Sequence, residues 1–95
     1  MRAYSKVSPN FWVGGTGEKI IRSGVDGTLM ALYLMTSPHA NMLGLYRLPI
    51  AYAADETGLG VERATNGLRA CIDCGFCSYD DETKTVFVHE MAVWQ

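Results

Sequence analysis

The pattern of apolar and polar residues is clearest between residues 61 and 74. Apolar residues recur there at intervals of three, four, seven and eight positions, so they share one face of a predicted helix. This apolar stripe comprises Val61, Ala64, Leu68, Cys71 and Ile72. The polar residues on the other sides are Glu62, Arg63, Asn66, Arg69 and Asp73. The pattern predicts a helix with one side on the core and a polar side free to bind a ligand.

The segments around this helix predict a known order of elements. A short strand at residues 44–47 precedes a helix that starts at Pro49, where a missing N–H costs nothing, and ends at Gly58, which suits a left-handed conformation. After the main helix ends at Gly75, strands are predicted at residues 76–79 and 85–88 around a polar turn. Strand, helix, turn, helix and β-hairpin is the order of a winged helix-turn-helix. The predicted fold is α+β and mainly helical, with about four helices, this motif at residues 45–88 and a short β-hairpin wing.

The first 36 residues predict an irregular arm and two further helices. Residues 1–15 lack a period, and Phe11 and Trp12 are expected to pin this arm to the domain body. Thr16 is the expected cap of a helix at residues 17–23, with Ile20 and Ile21 facing inward. Asp26 is the expected cap of a helix at residues 27–36, which is apolar nearly all round and therefore predicted to be central. A last helical turn is expected within residues 89–95.

Length and composition indicate one domain with a single modest core. The chain has 95 residues, 48% of them hydrophobic, and no apolar run approaches the roughly 18 residues of a membrane span. No signal peptide is recognisable, so a cytoplasmic location is expected. The net charge is −2 and is unevenly distributed: residues 1–23 carry +3 and residues 76–95 carry −3.

Several runs of sequence carry a resemblance to a known family. They are residues 32–46 (LYLMTSPHANMLGLY), 56–59 (ETGL), 75–80 (GFCSYD) and 86–90 (VFVHE), together with YSKVSP at 4–9 and FW at 11–12. These runs resemble the winged-helix domain near the N-terminus of phage and prophage replication proteins of the replisome-organiser type. The resemblance implies a DNA-binding domain that acts in DNA replication and is followed by a further region, so that residues 1–95 are the N-terminal part of a longer protein. The alternatives are a protein–protein interaction module of a replication complex and a winged-helix transcription regulator.

The free polar side of the main helix is the expected DNA-binding surface. In a helix-turn-helix this side enters the major groove, where Arg suits guanine or phosphate and Asn suits adenine. The acidic turn Asp80-Asp81-Glu82 departs from DNA-binding wings, which usually carry Lys or Arg, and favours the protein-contact alternative. The predicted contacts to DNA are Arg63, Asn66, Arg69, Arg47, Lys6 and Lys84, with Lys19 and Arg22 as further phosphate contacts. Duplex DNA is the expected partner, and other replication proteins are further expected partners. Association with a second copy of the chain would raise the affinity for DNA.

The cysteines form the sharpest site-like pattern in the chain. Cys71, Cys74 and Cys77 give a C-x2-C-x2-C run, but the position of a fourth ferredoxin cysteine is Asp81. A zinc site would need a fourth ligand such as His39 or His89. Cys71 lies on the apolar stripe, and free cysteine usually behaves as a small buried hydrophobe, so no metal or cofactor is expected. The sequence offers no combination of nucleophile, general base and general acid that would form a catalytic site. Enzymatic activity is therefore not expected.

Overall fold

The helices and the sheet were obtained from a computed structural model, which describes residues 5–41 and 43–94. Within these residues the chain is α+β and mainly helical, as the sequence predicts, and it has one three-stranded antiparallel sheet. The elements in chain order are a 3-10 helix (Pro9–Trp12), α1 (Gly15–Ser23), α2 (Val25–Thr36), β1 (Leu45–Arg47), α3 (Ile50–Thr57), α4 (Gly60–Asp73), β2 (Cys77–Asp80), β3 (Thr85–Val88) and α5 (Met91–Trp94).

Helix α2 lies at the centre of the helical layer, as its nearly continuous apolar surface predicts. It packs against α1, α3 and α4. Its contact with α4 is close because Gly67 of α4 has no side chain: a Cβ atom there would lie 2.5 Å from the carbonyl oxygen of Asp26 and 2.7 Å from Cγ of Met30. The two helices therefore approach each other backbone to backbone, which positions the rest of α4.

Glycine residues determine where α4 begins and ends. Gly58 follows α3 with φ 76°, and Gly60 opens α4 with φ 82°; both values lie in the left-handed region that favours glycine. At the other end Gly75 has φ 79°, its N–H donates to the carbonyl of Ile72, and the N–H of Phe76 donates to the carbonyl of Cys71. This pair of hydrogen bonds is a Schellman motif, which satisfies the last carbonyls of the helix. The predicted breaks at Gly58 and Gly75 are confirmed.

The sheet has the order β1-β3-β2, so the last strand of the hairpin lies in the middle. Its inner face is buried against the helices, and the hydroxyl of Tyr46 donates a 2.7 Å hydrogen bond to the carbonyl of Leu34 in α2. On the outer face Leu45 pairs with Phe87, and Phe87 pairs with Ser78 on the other side. The buried residues of the inner face are Tyr46, Cys77, Val86 and Val88.

The N-terminal segment is more ordered than predicted. Residues 9–12 form a 3-10 helix, and α1 already begins at Gly15, whereas residues 1–4 of the predicted arm lie outside the described residues. Phe11 is fully buried, and its ring lies 6.0 Å from that of Trp94 in an edge contact. Trp12 is 53% exposed, so the prediction that both aromatics pin the segment is wrong for Trp12.

Three predicted helix starts are shifted by one or two residues. Gly14, not Thr16, is the N-cap of α1, and Gly24 rather than Asp26 is the N-cap of α2. Pro49 is the N-cap of α3 rather than its first helical residue. Ile20 is buried as predicted, whereas Ile21 is only half-buried and lines a shallow apolar groove between α1 and α2.

Candidate nucleic-acid interface

One side of helix α4 is buried and the opposite side is exposed to solvent, as its sequence pattern predicts. The buried side consists of Ala64, Gly67, Leu68 and Cys71. On the opposite side Glu62, Asn66, Arg69 and Asp73 are all exposed, at successive spacings of four, three and four residues. We call these four residues the α4 polar stripe. It carries one cation and two carboxylates, a net charge of −1.

The apolar side of α4 is narrower than predicted. Val61 is 58% exposed and Ile72 is 40% exposed, although both were expected on the buried face. The buried arc is centred nearer to Gly67, because the missing side chain lets α2 approach from that direction. Val61 and Ile72 consequently form an exposed apolar margin along one edge of the α4 polar stripe.

Arg63 is exposed, as predicted, and its guanidinium also forms an ion pair with another helix. Its Nη2 and Nε atoms donate to Oδ1 of Asp26 at 2.7 and 3.1 Å, so the guanidinium of α4 is paired with a carboxylate in the first turn of α2. The hydrogen bond to Asp26 also raises the pKa of Arg63. Among the predicted DNA contacts of α4, Arg63 is therefore exposed but paired, whereas Asn66 and Arg69 are exposed without an ion pair in the described residues.

Arg69 is the available cation of the α4 polar stripe. Within the described part of the chain its side chain makes no salt bridge and no hydrogen bond, and it is exposed. Asn66, one helical turn before it, is also exposed. The two side chains therefore offer a guanidinium and an amide at adjacent positions of one helix face, which are the groups that read guanine and adenine in a major groove.

The other predicted DNA contacts belong to different elements. Arg47 ends β1 opposite Thr85, and the carbonyl of Lys84 accepts a hydrogen bond from the N–H of Leu48 at 2.6 Å, so Arg47 and Lys84 lie at the same end of the sheet. The exposed Asp80, Asp81 and Glu82 lie at the end of β2 and in the turn after it, at that end of the sheet. Lys6 is exposed in the N-terminal segment, and Lys19 and Arg22 are exposed on α1, where Arg22 pairs with Glu18 at 2.6 Å. The six predicted residues therefore belong to three regions of the fold.

The three cysteines are free thiols, and both histidines have hydrogen-bond partners; Cys71 and Cys77 are buried and Cys74 is half-buried. Cys71 is fully buried and its Sγ lies 3.4 Å from the carbonyl oxygen of Gly27, while burial raises the pKa of Cys77 to about 12. Nε2 of His39 lies 3.1 Å from a carboxylate oxygen of Glu56, and Nε2 of His89 lies 2.8 Å from the hydroxyl of Ser78. In residues 5–41 and 43–94 no three His, Cys, Asp or Glu side chains are grouped so that they could hold a metal ion.

The pair of Asp26 and Arg63 is the main feature that the sequence did not predict. The two residues are 37 positions apart, and no spacing rule links them. Their only signal in the sequence is that each carries a charge at the margin of an apolar helix face.

In the described chain no helix is both long enough and apolar enough to cross a bilayer.

Comparison of the chain with models of protein families, with curated proteins and with solved structures finds no match.

Proposed function

We propose that the chain is a winged helix-turn-helix domain that binds duplex DNA through the α4 polar stripe and acts in the cytoplasm in the replication of a phage or prophage. The replication role rests on the resemblance of the sequence runs given above. The DNA-binding role rests on the fold and on the free face of α4.

The arrangement of elements supports the winged-helix proposal. Strand β1, helices α3 and α4, and the hairpin β2–β3 follow each other in the order typical of that motif. The tight connection between the helices is made by Gly58, Leu59 and Gly60. The hairpin adds β1 to form a three-stranded sheet, and α4 leads into this hairpin along the chain.

The single observation that carries the DNA proposal is the free face of α4. This helix is held on its other side by α2 and α3, so its polar stripe is fixed in direction, as a recognition helix requires. Asn66 and Arg69 are the residues with base-reading chemistry on that stripe, and a bidentate contact to a base is worth about 1–3 kcal/mol of discrimination.

The charges imply weak binding by one copy. Glu62 and Asp73 flank Arg69, and phosphate attraction is the main source of affinity for most DNA-binding domains. A second copy, or a further region of a longer protein, would raise the affinity by supplying a second attachment without changing α4.

Protein binding by α4 is the second candidate function. The observation that favours it is the neutralisation of Arg63 by Asp26, which leaves the α4 polar stripe with a net negative charge. The exposed Val61 and Ile72 beside the stripe would suit an apolar protein surface.

A salt titration of binding tests the DNA proposal and separates the two candidates. Fluorescence anisotropy with labelled duplex and single-stranded DNA would be measured at several salt concentrations for the protein and for Arg69→Ala. If Arg69 contacts a base, its loss should weaken duplex binding by about 1–3 kcal/mol. If it contacts a phosphate, the slope of the logarithm of the binding constant against the logarithm of the salt concentration should fall in magnitude by about one.

The control for that experiment is Arg22→Ala on α1. It removes the same charge from another exposed helix, where Arg22 is paired with Glu18. Duplex binding that responds equally to both substitutions would indicate a general charge effect. Duplex binding would also be measured for two linked copies of the chain or for a longer chain. If neither binds duplex DNA at low salt, protein binding is the better explanation of the exposed face of α4.

A further inference from the structure

The outer face of the sheet is an exposed apolar surface that no element of the described chain covers. Phe87 of the central strand is 41% exposed, and its neighbour Leu45 on β1 is 54% exposed. The ring of His89 contacts that of Phe87 at a centroid distance of 4.8 Å, and its Nε2 lies 2.8 Å from the hydroxyl of Ser78 across the sheet. We call Leu45, Phe87, Ser78 and His89 the outer sheet face.

Carboxylates frame this surface at both ends. Asp80 ends β2 and Asp81 and Glu82 lie in the turn after it at one end, and Glu90 follows His89 at the other. The cations there are Arg47, paired across the sheet with Thr85, and Lys84 in the turn. Four carboxylates and two cations give the surface and its frame a net charge of −2. The apolar centre is therefore surrounded by a predominantly negative rim.

The size of the surface limits what can bind to it. Three strands spaced about 4.8 Å apart span about 10 Å, which is close to the diameter of one α-helix with its side chains. The strands are three or four residues long and span about 10–13 Å, so their length matches about two turns of a helix, at about 5.4 Å per turn. A single helix fits the outer sheet face, whereas a folded domain would extend far beyond it.

From the apolar centre, the negative frame and these dimensions, we propose that the outer sheet face is the docking site of a basic amphipathic helix from a protein partner. Leucine-type side chains of that helix pack on Leu45 and Phe87, and its Lys or Arg residues pair with the turn carboxylates of Asp81 and Glu82. The inference goes beyond the proposed function, because it concerns a different surface from the α4 polar stripe and a different class of partner.

Charge favours a protein helix over a nucleic acid at this surface. Nucleic-acid phosphates would meet Asp80, Asp81 and Glu82 beside Phe87, and the attraction that drives such binding requires a cationic surface. The same charges disfavour a second copy of the chain, since a symmetric contact would bring two negative frames together. A basic helix is the occupant that satisfies both the apolar centre and its rim.

The test uses an 18-residue helical peptide with leucine on one face and lysine on the other. Its binding to the whole chain is measured by calorimetry, and the matched peptide with glutamate in place of lysine should not bind. Leu45→Ser combined with Phe87→Ser should weaken binding of the lysine peptide at least about tenfold, as the loss of anchor residues does. The control is Val13→Ser combined with Val25→Ser, which removes two exposed apolar side chains (74% and 73%) from the N-terminal segment and α2 and should leave binding unchanged.

A second pair of variants tests the charges. Asp81→Lys with Glu82→Lys should abolish peptide binding, whereas Asp55→Lys with Glu62→Lys makes the same change of charge on α3 and α4 and should weaken it only slightly. In the unmodified protein, the amide NMR signals of β3 should shift when the peptide is added, which checks the location without any substitution.

Four results would overturn this inference. They are no binding of the lysine peptide, equal binding to all variants, loss of duplex DNA binding in the Leu45 and Phe87 variant, and self-association of the chain that this variant removes. The last two would assign the outer sheet face to DNA or to a second copy. Failure of the DNA proposal for α4 would leave the peptide-binding and self-association outcomes unaffected, because those experiments contain no DNA.

Discussion

The guanidinium of Arg63 on α4 and the carboxylate of Asp26 on α2 form an ion pair with two nitrogen donors, at 2.7 and 3.1 Å from Oδ1. The pair joins the N-terminal parts of two helices that are also in close backbone contact at Gly67. It links the two helices at the surface and, at the same time, pairs a cation that would otherwise lie unpaired beside the α4 polar stripe. One contact thus serves the fold and reduces the positive charge available for DNA.

Replacement of Asp26 by Asn should tighten duplex DNA binding. The change leaves the helix contact intact in shape but removes the charge that holds Arg63, so the guanidinium becomes available to a phosphate. Asp55→Asn, at an exposed position of α3, makes the same change of charge and is the control. Anisotropy titrations at low salt should show a larger gain for Asp26→Asn, and equal gains would mean that Arg63 remains uninvolved.

Gly67→Ala should destabilise the domain, because its new Cβ atom would lie 2.5 Å from the carbonyl oxygen of Asp26. Overpacking of this kind typically costs about 1–3 kcal/mol, and it would also push α2 away from α4. Gly15→Ala is the matched control in α1, since a Cβ atom there meets nothing within 4 Å. Urea denaturation should give a lower midpoint for Gly67→Ala alone. Equal midpoints for both variants would contradict the close approach of the helices.

Much of the fold follows from local signals in the sequence. Gly58 and Gly75 mark helix ends because left-handed backbone conformations are available to glycine at little cost. The strand at 85–88 follows from its β-branched and aromatic residues, and the strand at 45–47 from a short apolar run. Asn66 and Arg69 were placed on the free face of α4 by periodicity alone, and the structure has both exposed.

The remaining features depend on how the helices meet, which a periodic pattern does not contain. Gly67 carries no hydrophobic signal, yet it is buried because the backbone of α2 fills the space beside it. This close approach moves the buried arc of α4 away from Val61 and Ile72. The pairing of Arg63 with Asp26 follows from the same geometry. Phe11 and Trp12 are adjacent aromatics without a period, so sequence alone did not distinguish the buried ring from the exposed one.

Stability should fall as the pH rises above about 8.5, the usual pKa of an unfolded cysteine. Burial raises the pKa of Cys71, and it raises that of Cys77 to about 12. Between about pH 8.5 and the raised pKa values, the folded thiols keep protons that the unfolded chain loses. The free energy of unfolding therefore falls by up to about 1.4 kcal/mol per pH unit for each thiol. Below pH 8.5 both states hold the protons, and this contribution is constant.

Urea midpoints at pH 8 and pH 10 measure this effect. Cys77→Ala should reduce the loss of stability between the two pH values, because one titrating group is removed. Val86→Ala is the control: it shortens another buried side chain of the sheet but has no titrating group, so it should lower both midpoints and leave their difference unchanged. An identical pH dependence for the wild-type chain and Cys77→Ala would contradict the burial of this thiol.

The most direct measurement of the central claim is an NMR titration of the isotopically labelled chain with a short DNA duplex at low salt. The proposed function predicts that the largest amide shifts fall in α4, around Asn66 and Arg69, and that the shifts vanish as salt is added. It also predicts that residues of the outer sheet face, such as Phe87, shift little. Shifts confined to the sheet, or no shifts at a duplex concentration well above that of the protein, would contradict the assignment of α4 as the DNA-binding helix.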